Sequence, residues 1–294
     1  MTRSIYLSIP DNFSFRATIY SHGWCELAPF ELDDQNWRLR YVFAGNLPGE
    51  LSPGTISEAD GQLRIDLENN KVSDSTVIAI TRHLLRLDDD LEDFYKTLEG
   101  HARLGWVRER RAGRLLRSAT VFEDLIKTIC TTNCSWGLTK SMVNNLVDKL
   151  GEPAGSSKRA FPTAKAMAAM PAEFYRDEIR AGYRSPYFAE LAAAVAAGGL
   201  DPEAWLISDL PTPELKKEMK KVKGVGDYAA ENLLKLVGRY DGLALDSWLR
   251  SQFYKNHNKE KACPDKKIER HYNKFGKWRG LAIWCDMTEK WITE

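Results

Sequence analysis

The chain has no apolar run of the roughly 20 residues that a membrane-spanning helix needs. Met1 to Phe13 lacks the positive-then-apolar pattern of a secretory leader. An intracellular protein without a membrane partner is the expectation. Cysteine is scarce: Cys25, Cys130, Cys134, Cys263 and Cys285, an odd number with no CxxC pair, which argues against a disulfide framework. Cys130 and Cys134 can share a helix face, but two ligands do not make a zinc site. Buried apolar cysteines are the simpler reading. There is no Ser/His/Asp series, phosphate loop, metal cluster, internal repeat or low-complexity tail.

Net charge is also nearly absent, at +1, yet it is unevenly spread. Residues 1–100 hold 9 Lys+Arg and 17 Asp+Glu, a net −8; residues 101–294 hold 33 and 24, a net +9. A basic C-terminal two-thirds fits either a polyanion footprint or a solvated mixed surface.

What is present divides in two. Ile5–Ile9 and Trp37–Phe43 have strand composition, and Leu63–Leu67 alternates cleanly. Gly45, Pro48, Gly49, Pro53, Gly54 and Gly61 punctuate them, and Val77–Ile80 reads as a last apolar strand near residue 81. From Asp89 the period becomes helical, with Phe122, Leu125, Ile126 and Ile129 on one face. Thr163 and Ser185 read as N-caps, with Pro186 at the first helical position and Gly198-Gly199 as a stop. The fold class is α+β: a small antiparallel β domain over residues 1–88, then a two-lobed, mostly helical region over 89–294.

Residues 212–238 are the most informative. A helix opens at Thr212-Pro213 and runs to about Val222, then Lys223-Gly224-Val225-Gly226 turns the chain into a second helix from Asp227. Such a hairpin can present backbone N–H groups to a DNA phosphate, or it can simply join two helices. Eighteen residues after Tyr228 comes Asp246, at a helix start after the apolar Leu243-Ala244-Leu245. A lone Asp there serves as a helix cap, a partly desolvated catalytic carboxylate, or both.

The pairing of Val222–Ala230 with Asp246 resembles the helix-hairpin-helix, Gly/Pro…Asp superfamily of DNA glycosylases. Gly113–Arg117, Phe122–Ile126 and Ile129–Asn133 are similar to its 8-oxoguanine branch, as is the Gly-Tyr-Arg loop in Ala181–Tyr187. The general layout also fits 3-methyladenine DNA glycosylase II. The matches cover about residues 110–250.

The resemblance implies a monomer that flips a damaged base out of double-stranded DNA and cleaves its N-glycosidic bond. Asp246 matches the catalytic aspartate. Tyr228 stands where lyase-type relatives carry a lysine, and a phenol forms no imine. Monofunctional excision of alkylated purines follows. Oxidised or deaminated bases are the alternative, and a non-catalytic DNA-damage-binding protein is a second. Lys140, Lys223 and Lys235 are the amines that can stand in.

Tyr228, Trp136 and Trp248 are base-pocket candidates, the tryptophans having core packing as their other reading. Asn133 matches a duplex plug, Tyr183 a wedge and Arg184 a contact to the unpaired base. Lys223, Gly224, Val225 and Gly226 form the phosphate-binding hairpin. Only Cys263 and Cys285 follow Asp246, so no iron–sulfur cluster is expected, and no other cofactor; the resemblance allows a monovalent cation on the hairpin carbonyls. The cluster Arg103, Arg108, Arg110, Arg111, Arg114 and Arg117 either binds phosphate or is solvated. Ser21–Leu27, with its His-Gly-Trp trio, reads as a turn, with the cleft as its alternative destination.

Overall fold

The structure, a computed structural model, describes residues 2–155 and 158–293. Five strands, β1 (Arg3–Ser8), β2 (Glu31–Asp33), β3 (Arg38–Ala44), β4 (Leu51–Ala59) and β5 (Gln62–Leu67), form one antiparallel sheet in the order β1-β5-β4-β3-β2. Register aligns Ile5 with Ile65, Ile65 with Ile56, and Ile56 with Leu39. This row is buried and gives the sheet its apolar face.

Strand β4 crosses two residues read as punctuation. Pro53 pairs with Val42 and Gly54 with Tyr41. Gly54 sits there because a Cβ would lie 2.8 Å from Leu67 and 2.9 Å from Phe43. Close packing, not a turn, is the reason for that glycine.

The expected strand at residues 77–80 is a helix. Helix α1 (Asp74–Leu85) starts at Ser73, whose side chain accepts from the Thr76 N–H, and it buries Val77, Thr81, Leu84 and Leu85. A short apolar run fits either period, and the cap with the i+4, i+7, i+8 continuation decides for helix. The sheet therefore ends at Leu67.

The remaining helices of eight or more residues are α2 (Val121–Thr131), α3 (Trp136–Leu150), α4 (Ser185–Ala196), α5 (Thr212–Met219), α6 (Asp227–Leu236), α7 (Ser247–His257), α8 (Asp265–Tyr272) and α9 (Arg279–Thr293). Thr163 caps a short helix as expected, accepting from the Ala166 N–H. Ser185 does not cap. It is the first residue of α4, entered directly from a 3-10 turn, and its hydroxyl donates to Gly182 O at 2.7 Å. Thr212 likewise lies inside α5 and donates to Asp241 at 2.9 Å, and α5 stops at Met219 rather than Val222.

Helix α2 is the hub. Val121 through Cys130 are all buried on it. Glu203 accepts from the N–H groups of Val121 and Phe122 at 3.0 Å each, closing its N-terminus. Trp24 donates to Asp124 at 2.7 Å, and the buried Lys127–Glu123 pair, 2.6 Å apart, lies against Phe30. One continuous core runs from Ile5 to Ile292, so sheet and helices share an interior. Among the described residues no helix is long and apolar enough to cross a membrane.

Candidate active site

The hairpin between α5 and α6 is a tight turn held by its own backbone. Val222 N–H bonds Met219 O at 3.1 Å and Val225 N–H bonds Val222 O at 3.0 Å. Gly224 has φ +89, and a Cβ there would lie 2.9 Å from the Tyr187 ring. Both the left-handed backbone and the close approach require glycine. Val225, 5% exposed, pins the turn into the core. Gly226 precedes α6 without any side-chain cap and is exposed. The first N–H groups of α6 are thus left to solvent or to an anion. Lys223 reaches Glu190 on α4 at 2.6 Å, and Lys216 and Lys220 hold Asp227 at 3.0 and 2.9 Å.

Asp246 is the N-cap of α7. Its Oδ1 accepts from the Leu249 N–H at 2.7 Å, and Oδ2 has no hydrogen bond among the described residues. The cap fixes one oxygen and leaves the other to face a reacting group, while the helix dipole favours the anion. Two side chains of α6 clamp the approach to this residue. Glu231 accepts from the Ala244 N–H at 2.5 Å and from Lys216 at 2.6 Å; Lys235 donates to Leu243 O at 3.2 Å. Ala244 is held at φ +53 by this clamp.

Tyr228 shares the electrostatic neighbourhood of Asp246. Burial, and then the Asp246 charge, push its phenol up to about 12, so it stays neutral. Lys235 is buried, which pulls its ammonium down to about 8 against the opposing charges of Glu231 and Asp246. Trp248 packs on Trp291 and Trp284, with ring centroids 5.2 and 6.1 Å away. Trp284 donates to Ser21 O at 2.7 Å, and Lys235 Nζ lies 5.7 Å from its ring. Lys235 among its neighbours, Trp284 and Trp291 are the members of this group that sequence reasoning passed over. Their signal was aromatic spacing on α9, which reads as ordinary core.

Trp136 is placed elsewhere. Its ring packs on Gly23 and its Nε1 donates to Glu26 at 3.1 Å, so it lies where α3 meets the N-terminal module. Ser21–Leu27 does turn, with Gly23 at φ +88, but it also docks on the helices. Leu116 N–H donates to Ser21 Oγ, and His22 Nε2 meets Leu116 O at 2.7 Å. Both destinations considered for this segment are met.

Asn133 and Tyr183 form an exposed pair. Asn133 has φ +48 and donates to the Tyr183 hydroxyl at 3.3 Å; Tyr183 is 51% exposed. Arg184 is corrected as a base contact. It is 5% exposed, and its guanidinium bonds Ile129 O and both Thr132 oxygens while lying 4.5 Å from the Tyr183 ring. It braces the loop that carries Asn133. Much of the arginine cluster is also engaged internally: Arg103 with Asp286, Arg108 with Glu92 and Glu99, buried Arg114 with Asn12, and Arg117 with Leu236 O.

Cys285 is buried and Cys263 half-buried, both as free thiols. His257, His271 and Asp286 bring three potential ligand atoms within 4.8 Å. Asp286 is already held by Tyr272 and His257 at 2.7 Å each and by Arg103 at 3.1 Å, which makes the group a polar tie among the C-terminal helices.

No family model matches the chain. A probable N-glycosylase/DNA lyase of Methanothermobacter thermautotrophicus is 23% identical over 191 residues, which is 57% of this chain. The match spans only 60% of that relative's length. Solved structures match almost end to end. MBOgg1 in complex with a low-affinity DNA ligand superposes with a TM-score of 0.77 at 19% identity, over 98% of this chain and 96% of that one. The 3-methyladenine DNA glycosylase of Archaeoglobus fulgidus gives 0.74 at 18%, over 98% of each. The 8-oxoguanine glycosylase/lyase of Clostridium acetobutylicum, bound to DNA with cytosine opposite 8-oxoguanine, gives 0.75 at 19%, over 99% and 97%. The N-terminal sheet, the helical lobes, the glycine hairpin and the capping Asp246 thus belong to the helix-hairpin-helix, Gly/Pro…Asp fold shared by 8-oxoguanine and 3-methyladenine DNA glycosylases.

Proposed function

We propose that this protein is a base-excision DNA glycosylase, monofunctional and directed at alkylated purines in duplex DNA. The observation that carries the reading is Asp246, capped through one oxygen and open at the other, beside a neutral Tyr228 where an amine would have to stand. The uncapped start of α6 supports phosphate binding, and the exposed Asn133–Tyr183 pair supports filling of the gap left by a flipped nucleotide. The hairpin carbonyls of Met219 and Val222 each accept one turn hydrogen bond, leaving a second lone pair that suits a monovalent cation.

The chemistry is economical. An N-alkylated purine already carries positive charge, so it leaves with the glycosidic electron pair as a neutral base. No general acid is needed. Positive charge develops on the sugar, where the Asp246 carboxylate stabilises it and takes a proton from the attacking water. Tyr228 and Trp248 offer aromatic faces to a cationic purine. Lys235 does not present an amine in this arrangement, because its Nζ is buried and bonded to Leu243 O.

Single-turnover cleavage of duplexes carrying 7-methylguanine, 3-methyladenine analogues, hypoxanthine, ethenoadenine, uracil or 8-oxoguanine tests the reading. Strand breaks that need alkali and vanish in Asp246→Asn support it. The second reading, an oxidised-base enzyme, is favoured by the Asn133–Tyr183 pair; preferential release of 8-oxoguanine would establish it instead.

A further inference from the structure

A cavity of about 290 Å³ lies at the opposite end of α6 from the hairpin. Arg82, His83, Arg86 and Arg117 line it against Asp88 and Asp89. Arg82 and Asp88 pair with each other at the solvent-exposed rim. That leaves two guanidinium groups, Arg86 and Arg117, for one carboxylate, Asp89.

The donors of these groups can be followed individually. Arg86 is 1% exposed. Its Nη1 donates to Lys235 O and Leu236 O at 3.1 Å each, and its Nε to Asp89 at 2.7 Å. Its Nη2 has a charge contact with Asp89 at 2.5 Å but is buried without a hydrogen bond. Arg117 Nε donates to Leu236 O at 2.5 Å, and neither of its Nη groups makes a hydrogen bond among the described residues. His83 Nε2 is likewise buried without a partner. The two Nη2 groups converge: a Cβ on Gly238 would stand 3.5 Å from that of Arg86 and 3.9 Å from that of Arg117.

Like charges that converge in a poorly solvated wall repel, and each has lost hydration. Arg117 accordingly falls to about 10, through burial and then Arg86, and His83 falls to about 4, through burial and then Arg117. The carbonyl end of α6 offsets part of this charge. It engages Nη1 of Arg86 and Nε of Arg117, however, and not the two Nη2 groups.

We propose that this cavity binds a tetrahedral oxyanion of the phosphate class, gripped by Nη2 of Arg86 and Arg117 with Nε2 of His83 as a third donor. Paired guanidinium forks suit such an anion in geometry and charge. The volume falls just below the range of about 300–1,000 Å³ usual for drug-sized ligands, so a free oxyanion fits better than a whole nucleotide. The site is separate from Asp246, and its test does not depend on the glycosylase reading.

The experiment is a titration of the full chain with inorganic phosphate, and with chloride at matched ionic strength, read by thermal unfolding and calorimetry. A single-site, saturable rise in Tm with phosphate alone is expected, weakened at least about tenfold in Arg117→Gln, the usual scale for losing a charged hydrogen-bond partner. His83 gives a readout in the unaltered protein: its NMR titration midpoint should move upward when the anion arrives between it and Arg86, Arg117, Asp89 and Asp124. Adenosine monophosphate is the size control and should not bind. Equal effects of phosphate and chloride, together with an unmoved His83, would overturn the proposal. So would binding of the nucleotide as tight as that of phosphate.

Discussion

The two ends of α6 are treated in opposite ways. At Gly226 the helix begins exposed and without a side-chain cap. At Leu236 it ends buried, its last carbonyls bonded by Arg86 and Arg117 from the far side of the chain. Every helix leaves about four backbone groups unpaired at each end. Here the protein satisfies one set itself and keeps the other for a ligand. One helix thus carries a stability task at its C-terminus and a binding task at its N-terminus, and substitutions at the two ends should separate cleanly.

The largest effect is expected at the closed end. Arg86→Ala removes a buried charge and three bonds and leaves two carbonyls and Asp89 unpaired, costing about 3–5 kcal/mol in urea unfolding. Acid should weaken the same end. His83 is held neutral there, at about 4, whereas the unfolded chain binds its proton near 6.5. Its contribution is therefore full above about pH 6.5 and is lost as pH falls toward about 4, up to about 3 kcal/mol. Stability against pH should show that slope, and His83→Gln should flatten it.

Next comes the catalytic side. Asp246→Asn should lower single-turnover excision by about 10²-fold or more, with DNA affinity and the urea midpoint little changed, because an amide oxygen can still cap α7. At the open end, Gly224→Ala places a methyl against Tyr187 at positive φ. A loss of about 1–3 kcal/mol is expected, seen both in unfolding and in DNA binding. The smallest effect belongs to Lys223→Ala. Stability should stay within about 0.5 kcal/mol, while the salt dependence of DNA binding loses about one counterion. A large stability loss in Lys223→Ala would break the contrast between the two ends.

Much of this contrast was legible in the sequence, and the parts that were not have physical reasons. The hairpin was readable because Gly224 and Gly226 are demanded by local backbone geometry, which neighbours in sequence reveal. Asp246 was readable for the same reason, since a cap announces itself beside the helix it starts. The closed end was not. Arg86 reaches Lys235 O across 149 positions, and nothing local marks an arginine as buried. Arg184 misled in the same manner: its motif suited a base contact, but its burial commits it to Ile129 and Thr132. Strand β4 was hidden by Pro53 and Gly54, which signal a turn unless the Leu67 and Phe43 side chains packed on Gly54 are known. Trp284 could be recognised only once α9 had been placed beside α7 and Ser21.

The most direct test of the central claim is borohydride trapping run in parallel with alkali-developed cleavage on a 7-methylguanine duplex, using the unaltered protein and Asp246→Asn. The account predicts alkali-dependent breaks in the unaltered protein, their loss in Asp246→Asn, and no trapped adduct in either. A covalent protein–DNA adduct would contradict the account, and so would excision that survives in Asp246→Asn.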